Sequence, residues 1–104
     1  MIRHIVLFKL KDFSSEQERN NALENVLINF RSLVGEIPQI RQYIVQAGIT
    51  NTEASYDVII NSTFDSLEDL KAYQHHPAHL YAVEQNKNWS VSKVIIDYEE
   101  KPDQ

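Results

Sequence analysis

Residues 2 to 10 constrain the fold most tightly. Ile2, His4, Val6, Phe8 and Leu10 alternate with Arg3, Ile5, Leu7 and Lys9, the period of two that sends successive side chains to opposite faces of a strand. A sheet covered on one side only would turn a polar face to water. Here the second face is apolar at its centre, at Ile5 and Leu7, so the sheet needs cover on both sides. A chain of 104 residues holds one hydrophobic core, not two. One domain spanning residues 1–104 is expected, with one sheet face left for another molecule to cover.

The rest of the chain supplies three more strands and the helices. Ser14 and Ser15 offer helix caps, and Ser15 with Glu18 has capping-box spacing, in which each side chain bonds the other's backbone N–H. Leu23, Val26, Leu27, Phe30, Leu33 and Val34 then recur at steps of three and four as one apolar stripe, until Gly35 caps the helix and Pro38 stops it. Residues 40–47 alternate as a second strand closed by Gly48 and the turn residues Thr50, Asn51 and Thr52. Residues 55–64 form a third, antiparallel to it, with Tyr56, Val58, Ile60 and Phe64 sharing a face. Ser66 and Asp69 start a second helix that packs through Leu67 and Leu70 and reaches about His75. Pro77, lacking an N–H, forces a break and a short new segment through Val83. Residues 89–99 read as the last strand, with Val91, Lys93, Ile95 and Asp97 opposite Ser92, Val94, Ile96 and Tyr98.

This β-α-β-β-α-β order is that of a ferredoxin-like α+β domain, a four-stranded antiparallel sheet with its helices on one face. Apolar residues on the open face predict a second copy of the chain as cover, hence a homodimer. The tail, residues 101–104, is expected to fray.

Several function classes are set aside by composition. The formal charge is −5 and no run of Lys or Arg occurs, so the electrostatic footprint of a nucleic-acid binder is missing. The N-terminal apolar run is shorter than a signal peptide's, and no stretch nears the ~20 apolar residues that span a bilayer. No membrane partner is expected, and the cytoplasm is the default location. Without cysteine there is no thiolate metal site and no Cys nucleophile.

Four histidines remain as carriers of chemistry. His79 can exchange protons with a carbonyl compound near neutral pH; the alternative is a histidine tied to a helix end. Tyr73, six residues earlier, reaches the same cavity if the chain turns at Pro77, where its phenol would polarise a carbonyl or orient a ligand; the alternative is a core tyrosine whose hydroxyl reaches water. His4 is a polar group among Val6 and Phe8, and needs a hydrogen-bonding partner or a task. His75, His76 and His79 invite a metal reading, but Pro77 disturbs helical ligand spacing, so neither a native metal nor another cofactor is expected. His75 should face solvent, and Asp57, Asp97 and Tyr98 are read as structural.

Ile2-Arg3-His4-Ile5-Val6-Leu7-Phe8, Ser55-Tyr56-Asp57, Ala72-Tyr73-Gln74-His75-His76-Pro77-Ala78-His79 and Asp97-Tyr98 together resemble the stress-responsive α/β-barrel (Dabb) family over nearly the whole chain. The resemblance implies a dimeric α+β barrel of two sheets packed face to face, and it implies little about activity. A plant member of this family cyclises a linear polyketide; its catalytic Tyr and His match Tyr73 and His79, and its first-strand His matches His4. A further pocket His of that enzyme falls at about Val58, where this sequence departs from the pattern. Three functions compete: a pocket for a small apolar or aromatic ligand, with His79 as acid/base if it is an enzyme of the polyketide-cyclase kind; a noncatalytic dimer; and a cofactor-free oxygenase of the kind found in related barrels. An apolar cavity holding both Tyr73 and His79 would favour the first.

Overall fold

The computed structural model describes residues 1–101, so the fraying expected at residues 102–104 lies outside the described residues. The alternating segments form β1 (Ile2–Leu10), β2 (Gln42–Ala47), β3 (Val58–Phe64) and β4 (Ser90–Glu99). They make one antiparallel sheet in the order β2-β3-β1-β4. Its helices are α1 (Glu16–Arg31), α2 (Leu67–His75) and α3 (Pro77–Asn86). Val6, Phe8 and Leu10 of β1, with Val58 and Ile60 of β3, share a core with Val26, Leu27 and Phe30 of α1 and Leu70 and Tyr73 of α2. The four strands and the one-sided helical layer are those the alternation predicts.

Helix ends follow the capping residues. Ser15 and Ser66 accept from the backbone N–H of Glu18 and Asp69, both at 3.1 Å. Pro77 does break the helical run: His76 turns extended, and its Nδ1 accepts the Ala78 N–H at 3.0 Å to cap α3, with Pro77 in the first turn.

Details differ from expectation at several places, one being β4, which begins at Ser90 and not at Trp89. Ile40 stays out of β2 because its N–H closes a turn onto the Ile37 carbonyl. Residues 55–57 stay out of β3, since Ser55 is held in a turn by Thr52 through side chain and backbone. Gly35 does not cap α1 in a left-handed conformation, because no residue among the described ones has positive φ; the helix instead tightens into a 3-10 turn over Ser32–Gly35. That tightening to three residues per turn rotates Val34 off the stripe, and it is 53% exposed. Leu67, in the first turn of α2, is 57% exposed and leaves the packing to Leu70. Finally, α3 runs three residues past Val83 to Asn86, whose buried side-chain oxygen accepts from the Ser90 hydroxyl at 2.8 Å and ties the helix to the start of β4.

Gly48 has a steric reason for its identity. Its N–H bonds the Asp57 carbonyl at 2.8 Å, and a Cβ there would lie 2.8 Å from the Tyr56 carbonyl oxygen. Next to it, buried Asp57 accepts from the Leu10 N–H at 2.8 Å and from Arg19 at 2.7 Å, which makes it a structural carboxylate. Asp57→Ala strands a buried N–H and one guanidinium, a loss of about 2–3 kcal/mol. For a domain of this size that lowers Tm by roughly 8–20 °C, to be read by thermal unfolding. A drop of less than about 3 °C would contradict this account.

The sheet's other face carries no helix. Residues opposite each other across strands share a face, so Ile44, Asn61, Ile5 and Ile96 make one row and Gln46, Ile59, Leu7 and Val94 the next. Ile44, Val94, Ile96 and Tyr98 stand exposed on it. At one end the row turns polar, where Arg3 bonds Asn61 at 2.7 Å and Glu100 at 2.8 Å.

Candidate functional site

α3 packs against α1 and α2 but stands off β4, and the gap is a cavity of about 440 Å³. Its walls are largely apolar: Val6 and Phe8 from β1, Phe30 from α1, Ile60 from β3, Leu80 and Val83 from α3, and Ile95 from β4. His4, Tyr73 and His79 line the same cavity. The three side chains singled out in the sequence are therefore brought together.

His4 is 3% exposed. Strand register sets Asp97 directly across from it, and Nδ1 of His4 bonds the Asp97 carboxylate in a short contact. A carboxylate only accepts, so Nδ1 carries the hydrogen. Nε2 makes no hydrogen bond among the described residues. Such a carboxylate fixes both tautomer and ring orientation. The His4 ring meets Tyr73 edge-on, with centroids 6.1 Å apart.

Tyr73 is 1% exposed, and its hydroxyl bonds that of Tyr43 on β2 at 2.8 Å. The expected reach of this hydroxyl to water is not what holds it; the partner is a second phenol. Burial pushes Tyr73 up to about 12, with the bond from Tyr43 acting the other way, and pushes Tyr43 up as well. Both are neutral phenols at pH 7, so Tyr73 is a hydrogen-bonding group and not a base. One hydroxyl hydrogen fills the bond between them; with Tyr43 as its donor, the hydrogen left over is that of Tyr73, the one of the two that lines the cavity.

The ring of His79 lies 4.4 Å from that of Tyr73, centroid to centroid. Its Nδ1 donates to the Gln74 carbonyl at 3.0 Å, a bond that the break at Pro77 makes possible by carrying α3 back past the end of α2. The backbone-tied alternative and the cavity position thus hold together, since the tie on Nδ1 leaves the lone pair at Nε2. Burial lowers the pKa of His79; the Gln74 bond opposes this, and His4, Lys93 and His75 add to it. His79 is a neutral imidazole at pH 7.

That shift has a sign that can be tested. The unfolded chain takes up this proton near the ordinary value of 6.5 and the folded chain only at lower pH, so the stability this group contributes is fully present above pH ~6.5 and is lost as pH falls from there through the folded pKa. An NMR titration should place the His79 midpoint below ~6.5. A midpoint at or above that value would contradict the buried, neutral ring.

The remaining histidines serve the backbone. His75 is exposed, as expected, with Nδ1 bonded to the Lys71 carbonyl at 2.8 Å, and His76 caps α3. Among the described residues no three His, Cys, Asp or Glu side chains are grouped to hold a metal ion, and no helix is long and apolar enough to cross a membrane. Asp97, read as structural in the sequence, holds His4 without itself lining the cavity, and Tyr43 was not singled out at all. Both act across strands, where alternation shows the face of a residue but not its neighbour.

Residues 2–100 match the stress responsive A/B barrel domain family, Dabb. An uncharacterized protein of Streptomyces coelicolor is 39% identical over 99 residues, covering 95% of this chain and 99% of that protein. Olivetolic acid cyclase of Cannabis sativa is 27% identical over 99 residues, covering 93% and 94%. The crystal structure of a dimeric protein with a ferredoxin-like fold from Bacteroides fragilis superposes with a TM-score of 0.83 at 30% identity, covering 95% of each chain. With residues 2–100 matching its model, this chain belongs to the Dabb family.

Proposed function

We propose that the chain works as a homodimer whose cavity binds a small apolar carbonyl compound and moves a proton at the carbon next to the carbonyl. One observation carries this reading: two imidazoles, His4 and His79, each bonded through Nδ1 and each with Nε2 unbonded among the described residues, line one largely apolar cavity. Nε2 of His79 takes the proton from the α-carbon, and the C–H electron pair passes into the carbonyl to give an enolate. The free hydroxyl hydrogen of the Tyr73–Tyr43 pair bonds the oxygen that gains charge. Return of the proton to carbon restores His79. His4, oriented by Asp97, supplies a second imidazole at the same cavity.

Olivetolic acid cyclase is a relative whose pattern at Tyr73, His79 and His4 agrees with this reading. Its own reaction is not carried over, because Val58, at the place of its further pocket histidine, is a core residue 2% exposed that does not line the cavity.

The test is deuterium exchange into the methyl group of 2-acetonaphthone, followed by proton NMR in D2O. The protein should speed exchange over buffer and shift resonances of cavity residues. Buffer-like exchange with no shifts would refute the reading. For the dimer, the support is the apolar outer face and the dimeric relative from Bacteroides fragilis.

A further inference from the structure

We infer that the carbonyl compound of this cavity is amphiphilic, an apolar or aromatic body that also carries one carboxylate, seated on Lys93 at the mouth. The inference rests on the cavity reading above and narrows its ligand class.

Along the face that β4 shares with His4, Val6 and Phe8, Lys93 and Ile95 line the cavity, and Asp97, which does not line it, holds His4. Lys93, Ile95 and Asp97 alternate along the strand and stand across from Phe8, Val6 and His4 of β1. The row therefore runs cation, apolar, anion. Its two charged ends, four residues apart, are separated by about 13 Å of strand. Asp97 is already occupied by His4. Lys93 lines the cavity, is exposed, and has neither a carboxylate nor any other hydrogen-bonding partner among the described residues.

An unpaired ammonium beside an apolar cavity is a notable placement in a chain of net charge −5. The other lysine at this rim, Lys87, is paired with Glu84 at 2.9 Å. One free positive charge suits one negative charge; a phosphate dianion would call for a second free cation. Lys93 lies close enough to His79 for its charge to be among those that disfavour protonation of that ring. A ligand anion is thus drawn to the Lys93 end and repelled from the Asp97 end. Its apolar body then lies over Phe8, which stacks on Phe30 at 5.1 Å, and the group to be deprotonated lies toward His79.

The test uses 2-naphthoate and 2-naphthamide, which share shape and differ in charge. Their binding to the full chain is measured by NMR titration at low and high salt, with Lys93→Met, Lys93→Arg and Lys87→Met variants. Naphthoate should bind about threefold to tenfold more tightly than naphthamide at low salt, an advantage that shrinks as salt screens the pair. Lys93→Met should abolish that advantage while leaving naphthamide binding unchanged; Lys93→Arg and Lys87→Met should keep it. If naphthamide binds in the cavity and naphthoate has no advantage, or keeps its advantage in Lys93→Met, the carboxylate inference is overturned and the cavity reading stands. If neither compound shifts cavity resonances, both are overturned.

Discussion

Ile96→Asp is expected to turn the dimer into a folded monomer. Ile96 sits on the edge strand β4 in an apolar row of the uncovered sheet face, opposite Ile5, and is 60% exposed in the single chain. An aspartate there is harmless to an isolated protomer, since water still reaches it. In a two-fold interface the same patch meets itself, so each substitution is made twice across one contact. Enclosing an unpaired carboxylate between two sheets costs about 3–5 kcal/mol. Each 1.4 kcal/mol is tenfold in dissociation constant, so the dimer weakens by at least roughly 100- to 4000-fold. Light scattering after size exclusion at micromolar concentration should report the monomer mass for Ile96→Asp, with circular dichroism unchanged. Leu67→Asp is the control: Leu67 is nearly as exposed, at 57%, but begins α2 on the helical layer, and its variant should remain dimeric. A dimeric Ile96→Asp, or a wild-type chain that is monomeric at this concentration, would remove the face-to-face arrangement.

What could be read in the sequence divides along a physical line. Periodicity is local, so it found the strands and the stripe of α1, and it placed His4, Val6 and Phe8 on one face because alternation needs no partner. Caps are local as well, and Ser15, Ser66 and Pro77 set helix ends where they stand. The misplaced boundaries at residues 34, 40 and 55 have another origin. There the competing turns bonded within a few residues, at Ile37–Ile40 and Thr52–Ser55, and no pattern of apolar residues registers them. The site shows the same division. His4, Tyr73 and His79 stand out as polar groups in apolar company, visible one at a time. Asp97 matters only because the register of β1 and β4 puts it across from His4, and Tyr43 only because α2 crosses the sheet where its hydroxyl meets Tyr73. Register and crossing are properties of the assembled sheet, and one chain read alone does not contain them.

The cavity chemistry depends most on one nitrogen, and His79→Gln is expected to remove it. Glutamine can still donate to the Gln74 carbonyl, yet it offers no basic lone pair. General base catalysis contributes about 10²–10⁴ in rate, so exchange into 2-acetonaphthone should fall by at least roughly 100-fold. Stability should change far less. The substitution loses a ring contact with Tyr73 and at most weakens one hydrogen bond, about 1–2 kcal/mol together, which leaves a domain of this size folded at room temperature. Binding of the ketone should stay within about threefold of wild type, because one surviving hydrogen bond and the apolar walls still hold it. Acidity adds a second readout that a structural role would not move. Since burial keeps His79 neutral below the usual histidine range, the wild-type rate should hold as pH falls to ~6.5 and decline only below it. In His79→Gln that decline should vanish along with the rate it governed. If the variant exchanges the ketone within about twofold of wild type, proton transfer does not pass through His79, and His4 with Asp97 would be left as the base; a loss of rate that tracks loss of folded protein would return His79 to a purely structural part.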